Sequence, residues 1–140
     1  MIKKVPSILM MITLGAAIFI TSCSKKTELT TQQKVVGKWN LDAAIGAYTV
    51  MGEVSRDTTL FSHGEYIQFN ADGTLETQED DDSTAGKWTI TNEKLVVTET
   101  GSIDYPGGFT ITELSGNKLE LYYTQTQGET SLEQKIKLKK

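Results

Sequence analysis

Few side chains in this sequence could carry out chemistry, and the first candidate is the single histidine, His63. It follows Ser62 in the segment Phe61-Ser62-His63-Gly64. A serine hydrolase needs a nucleophile within hydrogen-bond reach of the imidazole and an acid that orients the ring. Ser62 is adjacent in sequence and therefore points away from His63, and the chain has no Gly-x-Ser-x-Gly elbow. We predict that His63 is a solvated loop residue and that the chain has no catalytic residue and is not an enzyme.

A second candidate is the run of four carboxylates from Glu79 to Asp82. Calcium takes about six to eight oxygen ligands, which acidic loops often supply. The EF-hand pattern is not met, because Ala85 stands at the sixth place counted from Asp80, where glycine is required, and no glutamate closes the loop. We therefore predict a solvated acidic loop, no metal site and no cofactor, while weak cation binding by residues 79–82 stays open.

The single cysteine, Cys23, ends an amino-terminal segment that is typical of exported proteins. Lys3 and Lys4 precede an uncharged run from Ile8 to Ile20. As a helix of about 1.5 Å per residue this run is about 20 Å long, shorter than the roughly 30 Å hydrocarbon core of a bilayer. The pattern predicts a signal peptide over residues 1–22 rather than a membrane-spanning helix.

The end of that segment, Ile20-Thr21-Ser22-Cys23, resembles the lipobox of bacterial lipoproteins. The resemblance implies a diacylglycerol thioether on Cys23, cleavage before it, and an acyl chain such as palmitate on the new amino terminus. Two or more acyl chains hold a protein stably at a membrane. Lys25 and Lys26 follow the cysteine where surface-exported relatives carry acidic residues. We therefore expect a cell-envelope lipoprotein in the outer membrane that faces the periplasm.

Composition limits what the mature chain can be. Removing 22 of the 140 residues takes away Lys3 and Lys4, which leaves 12 basic and 18 acidic residues and a formal net charge of −6. This length suits one domain, and the acidic balance argues against a nucleic-acid partner, which requires a clustered basic surface. A lipidated Cys23 would leave no thiol for a disulfide or a metal site.

The elements that position these residues are predicted to be short β-strands, because apolar and polar residues alternate from Gly37 onward. Thr30 and Gln33 form a capping box that predicts one helical turn over residues 31–35. We assign residues 23–34 to a lipidated polar tether and residues 35–140 to one all-β domain. The apolar side of the alternation contains these pairs: Trp39 and Leu41, Ile67 and Phe69, Trp88 and Ile90, Leu95 and Val97, Phe109 and Ile111, Leu119 and Leu121, and Ile136 and Leu138.

Turn residues separate these strands in the manner of hairpins. They are Asn70-Ala71-Asp72-Gly73, Asn92-Glu93, Ser115-Gly116-Asn117 and Gln127-Gly128. The region from Ala44 to Leu60 is less regular; Tyr48, Val50 and Val54 suit a further strand, and Gly52 is predicted to mark a β-bulge. The chain is therefore expected to form eight to nine antiparallel strands in a meander, as a sandwich or a barrel.

Gly37-Lys38-Trp39 at the start of the first strand resembles the opening of a lipocalin or a related calycin barrel. The runs Tyr66 to Thr74 (YIQFNADGT) and Gly86 to Ile90 (GKWTI), after a lipobox, resemble the small lipocalin-like lipoproteins of Bacteroidota. The resemblance implies a small barrel that carries a ligand and a cationic residue against the first-strand tryptophan. Arg56 is the only arginine, and we expect Lys135 or Lys137 in that place.

From this resemblance we expect non-enzymatic binding of a small apolar or amphipathic molecule, with Trp39, Phe69, Trp88 and Tyr123 as ligand-binding residues. An eight-stranded barrel is just wide enough for side chains to fill it or for one small ligand, and large rings favour filling. The alternative is a protein-interaction module, an envelope accessory subunit or inhibitor with a filled barrel, that uses the loops at His63, Asp80 and Tyr105. An enclosed cavity of about 300 Å³ or more would favour carriage.

Overall fold

The computed structural model describes residues 27–62, 64–98 and 105–140. The predicted signal peptide, Cys23 and His63 lie outside the described residues. Within the described part, a short helix, α1 (Thr31–Val35), precedes nine strands. They are β1 (Gly37–Val50), β2 (Glu53–Leu60), β3 (Tyr66–Phe69), β4 (Thr74–Glu79), β5 (Asp82–Thr91), β6 (Lys94–Thr98), β7 (Phe109–Leu114), β8 (Lys118–Gln127) and β9 (Thr130–Lys139). No helix in these ranges has both the length and the apolar character needed to cross a bilayer.

The strands form one antiparallel sheet that closes on itself through β1. The first residues of β1, from Gly37 to Asn40, pair with β3 on one side. From Asn40 to Val50 the same strand pairs with β9 on the other side. Strands β1 and β3 to β9 thus form a closed eight-stranded meander barrel, and β2 is an additional strand paired with the second half of β1. The predicted all-β antiparallel meander barrel is confirmed.

The four turns predicted from sequence all join paired strands. At Asn92 and Glu93 both φ angles are positive, 50° and 63°, as a two-residue hairpin turn of type I′ requires. The predicted bulge at Gly52 is wrong, because Met51 and Gly52, with φ of 48° and 87°, form the hairpin turn between β1 and β2. A bulge lies instead at Asp42, where the register with β9 shifts between Leu41 and Ala43.

Helix α1 covers one end of the barrel, which we call the helix end. The predicted capping box is present: the Gln33 amide donates to Thr30 Oγ1 at 3.2 Å, and the Thr30 amide donates to Gln33 Oε1 at 2.9 Å. Val35 is fully buried, and its carbonyl accepts a 2.7 Å hydrogen bond from Trp39 Nε1. The opposite end, where hairpins β1–β2, β4–β5 and β8–β9 turn, is the open end.

Lys140, and not Lys135 or Lys137, lies against the first-strand tryptophan. Its Nζ is 4.4 Å from the centre of the Trp39 ring. Residues alternate along β9, so that Leu138 faces the interior while Lys135 lies on the outside in an ion pair with Glu120. The prediction that Lys135 or Lys137 lies against Trp39 is therefore wrong, because odd-numbered residues of β9 face away from the barrel interior. Gly37 has a φ of 130°, and a Cβ there would lie 3.4 Å from Lys140 Nζ, so a larger residue would crowd the cation.

The β3–β4 turn is stabilised by one carboxylate. The Thr74 amide and hydroxyl both donate to Asp72 Oδ1, at 2.9 and 2.6 Å. These hydrogen bonds, the hydroxyl first, lower the pKa of Asp72 below its usual 3.8. The turn predicted at Asn70-Ala71-Asp72-Gly73 agrees with this geometry.

Replacing Asp72→Asn should therefore destabilise the fold in a pH-dependent way. Because the folded pKa lies below the unfolded one, the ionised carboxylate stabilises the fold above the unfolded pKa, and this contribution is lost as pH falls through the folded pKa. In urea unfolding we expect the free-energy gap between wild type and variant to be constant from about pH 7 to 5 and to shrink below about pH 4. A gap of equal size at neutral and acidic pH would contradict the assignment.

Candidate functional site

The barrel interior holds a cavity of about 540 Å³, within the range of roughly 300–1,000 Å³ that is typical of small-molecule sites. The lining strand residues lie at alternate positions, such as Ile67 and Phe69 on β3 and Leu95 and Val97 on β6. Alternate residues of a strand face the same side of the sheet. The cavity is therefore the part of the barrel interior that side chains leave open.

Much of the lining is aliphatic or aromatic. Leu75, Leu95, Phe69 and Phe109 are each at most 4% exposed. Leu121 and Ile136 extend this apolar surface onto β8 and β9. Because burial of apolar area is favourable at about 25 cal/mol per Å², this surface favours a ligand with an apolar body.

Tyr105 and Phe109 line one wall of the cavity, and Tyr123 packs edge-on against Tyr105 outside the lining. The ring of Tyr105 lies 4.5 Å from that of Phe109 and 4.9 Å from that of Tyr123, centre to centre. Burial raises the pKa of the Tyr105 phenol, a hydrogen bond with Gln134 lowers it, and the charge of Glu79 raises it further. The phenol is thus a neutral hydrogen-bonding group inside an otherwise apolar wall.

A tight turn holds Tyr105 in place. The Gly108 amide donates to the Tyr105 carbonyl at 3.0 Å, and Gly107 and Gly108 have φ of 84° and 71°. A Cβ on Gly108 would lie 2.7 Å from the Leu95 carbonyl oxygen. Only glycine fits this contact, which brings the turn against β6 at the edge of the cavity.

The polar part of the lining belongs to the β4–β5 hairpin. Thr77 and Thr84 face each other across the two strands, and Glu79 and Asp82 form the last cross-strand pair. Asp80 occupies the turn with a φ of 49° and also lines the cavity. The acidic run predicted as a solvated loop is thus a hairpin turn at the mouth of the cavity.

The four predicted ligand-binding residues are divided between the cavity and the packed core. Phe69 lines the cavity, whereas Trp39, Trp88 and Tyr123 are buried and are not among its lining residues. Trp88 packs edge-on against Phe69 with ring centres 5.3 Å apart, and its Nε1 donates to the Asn70 carbonyl at 3.0 Å. Both indole N–H groups therefore have backbone partners, which is the usual state of a structural tryptophan.

Sequence reasoning missed the aliphatic part of the site. Ile67, Leu95, Val97 and Ile136 all belong to the apolar side of the predicted strands, so the alternation contained the signal. The predicted ligand-binding residues are all aromatic, but the two tryptophans among them fill the helix end instead. Within the described residues, no three histidine, cysteine, aspartate or glutamate side chains are grouped so that they could hold a metal ion.

Comparison with protein families identifies the fold. A family model described as a lipocalin-like domain matches residues 35–121, which include both tryptophans and most of the cavity lining. Comparisons with curated proteins and with solved structures gave no match.

Gly108→Ala should destabilise the fold by about 2 kcal/mol or more, because it combines an unfavourable positive φ with a contact to the Leu95 carbonyl. The free energy of unfolding in urea measures this. Gly116→Ala is the matched control, since a Cβ there meets nothing within 4 Å. Equal stabilities of the two variants would show that the contact of the turn with β6 is not needed.

Proposed function

The chain belongs to the lipocalin-like domain family, and we propose that it binds a small apolar or amphipathic molecule inside its barrel without catalysing a reaction. The observation that carries the proposal is the cavity of about 540 Å³. Families of this kind generally bind ligands, and the lining described above offers an apolar surface with a few polar groups on one side. This combination is typical of small-molecule sites.

The expected affinity follows from the size of the apolar surface. Each buried CH₂ contributes about 0.8 kcal/mol, so a ten-carbon chain could contribute about 8 kcal/mol before the entropic cost of association. That cost is several kcal/mol and is disputed in size. A dissociation constant in the micromolar range or weaker is therefore expected for a simple alkyl ligand.

Filling the cavity should abolish binding without unfolding the barrel. Thr77→Trp would place an indole among the lining residues, whereas Thr89→Trp adds the same ring on the exposed outer face of β5. With the neutral fluorescent probe N-phenyl-1-naphthylamine, we expect at least about tenfold weaker binding by the first variant and wild-type binding by the second. Equal binding by both variants and the wild type would place the probe outside the barrel and refute the proposal.

We further propose that Cys23 is lipidated and holds the barrel at the outer membrane, facing the periplasm. The lipobox-like Ile20-Thr21-Ser22-Cys23 and the short apolar run before it support this. The tether of residues 23–34, whose last four residues belong to α1, would leave the barrel close to the bilayer, where apolar molecules are concentrated. A ligand carrier anchored there would take up such molecules from the membrane or release them to it.

Cys23→Ser should convert the protein from a membrane-bound to a soluble form. Detergent partitioning of the native chain and mass spectrometry of its amino-terminal peptide are the measurements, with a mass increase from diacylglycerol and acyl groups expected only for the native cysteine. Ser24→Ala is the control and should remain lipidated. An unmodified thiol in the native protein would contradict the proposal.

The alternative of a protein-interaction module rested on a barrel filled by side chains. The cavity in the barrel interior does not fit an interaction module whose barrel is filled by side chains. Exposed apolar side chains on the β1–β2 hairpin, including Met51 at 79% and Val54 at 52% exposure, would be its remaining support. Ligand binding is therefore the function that the geometry favours.

A further inference from the structure

We propose that the ligand is a cationic amphiphile, with an apolar body inside the barrel and a positively charged nitrogen at the carboxylates of the β4–β5 hairpin. This inference rests on the proposed function, because it names the ligand class of the same cavity. It goes beyond that function by assigning a sign of charge. The site itself is the apolar cavity; the carboxylates decide which amphiphile fits it.

All charged residues that line the cavity are acidic. Among the described residues, the cavity is lined by three carboxylates and four hydroxyl groups and by no lysine or arginine; the carboxylates are those of Glu79, Asp80 and Asp82, and the hydroxyl groups those of Thr77, Ser83, Thr84 and Tyr105. Lysines gather instead at the helix end, where Lys140 lies over Trp39 and Lys118 pairs across the sheet with Lys139. A cationic head at the mouth would meet attraction, and an anionic head would meet repulsion.

The register of the hairpin holds two of these carboxylates close together. Glu79 and Asp82 are directly opposite each other in the ladder between β4 and β5, so their side chains project from the same face of the sheet. Like charges in directly opposed positions destabilise a strand pair. A cation bound between them would be attracted to both carboxylates and would offset their mutual repulsion. Binding of a cation would therefore also stabilise the hairpin.

A fourth carboxylate, Glu65, provides an independent observation. Its Oε2 atom is buried and has no hydrogen-bond partner within the described residues. Glu65 directly precedes β3 and has the parity of Ile67 and Phe69, which line the cavity, although Glu65 is not itself a lining residue. A buried oxygen without a donor is unfavourable, and a positively charged nitrogen nearby would offset part of that cost by electrostatic attraction.

The aromatic wall suits the same head group. Glu79, Tyr105 and Phe109 line the same cavity, and the negative charge of Glu79 contributes to raising the pKa of Tyr105. Cations are attracted to the faces of aromatic rings, and quaternary ammonium ligands are recognised in this way. A cavity lined by both carboxylates and aromatic side chains therefore matches an amine or ammonium group better than a neutral alcohol.

A metal ion is a less suitable occupant. The described residues contain no group of three or more carboxylate, histidine or cysteine side chains that could hold one. The carboxylates are instead spread along the rim of an apolar cavity, which suits a diffuse organic cation. A fatty acid would fit the apolar body but would bring its own charge against Glu79 and Asp82.

The test compares three probes with the same ten-carbon chain: decyltrimethylammonium, 1-decanol and decanoate, titrated calorimetrically below their micelle concentrations. Residues 24–140, which contain the closed barrel and its core, are used as wild type and as Glu79→Gln/Asp82→Asn. The control is Asp81→Asn/Glu113→Gln, which removes the same two charges at positions that do not line the cavity. Binding of 1-decanol also verifies that each variant is folded.

For the wild type we expect the ammonium probe to bind more tightly than decanoate, by about tenfold at low salt, with the ratio falling as salt is added. Glu79→Gln/Asp82→Asn should lower this ratio at least about fivefold while its affinity for 1-decanol changes by less than about twofold. The control variant should keep the wild-type ratio.

The outcomes separate this inference from the function on which it rests. If 1-decanol binds but decanoate binds as well as the ammonium probe, or if both variants lower the ratio equally, the charge assignment is overturned and apolar binding stands. If none of the three probes binds the wild type, the proposed function fails and this inference fails with it.

Discussion

The pairing of β1 with β9 is the constraint on which the rest of the structure depends. It runs from Asn40 to Val50 on β1 and joins the two ends of the sheet. Closure turns one face of every barrel strand toward a common interior. Alternate side chains along each strand therefore point into the barrel or out to solvent. A core at the helix end, a cavity beyond it and an acidic rim at one hairpin all follow from which residue stands at each interior-facing position.

The interior is divided because its two ends are built from different side chains. At the helix end, Trp39 is fixed by α1 on one side and covered by Lys140 on the other. Trp88 packs against Phe69 and completes this packed half. Toward the other end the interior-facing side chains, such as Thr77, Val97 and Ile136, do not meet across the barrel and leave the cavity open. The same fold therefore combines a stabilising core with a space for a ligand.

Much of the fold could be predicted from the sequence because the signals are local. Alternation predicted the strands, Asn-Glu and Asp-Gly pairs predicted the turns, and Thr30 with Gln33 predicted α1. The bulge at Asp42 could not be predicted, since it depends on the register of β1 with β9, nearly a hundred residues away in the chain. Lys140 stands at an even-numbered position of the chain, like the inward-facing Ile136 and Leu138. Its position over Trp39 nevertheless depends on the path of the last residue after β9 ends. The cavity depends on distances across the closed barrel, which no single strand encodes, so the alternation could not show which interior-facing residues line it.

The central claim is that a ligand occupies the open half of the barrel interior. The most direct measurement is a set of intermolecular nuclear Overhauser effects between bound 1-decanol and assigned methyl groups of the protein. We expect contacts to the methyl groups of Leu95, Leu121 and Ile136 and none to those of Val35, in the packed half. Contacts confined to exposed side chains such as Leu132, with none to the interior methyl groups, would contradict it.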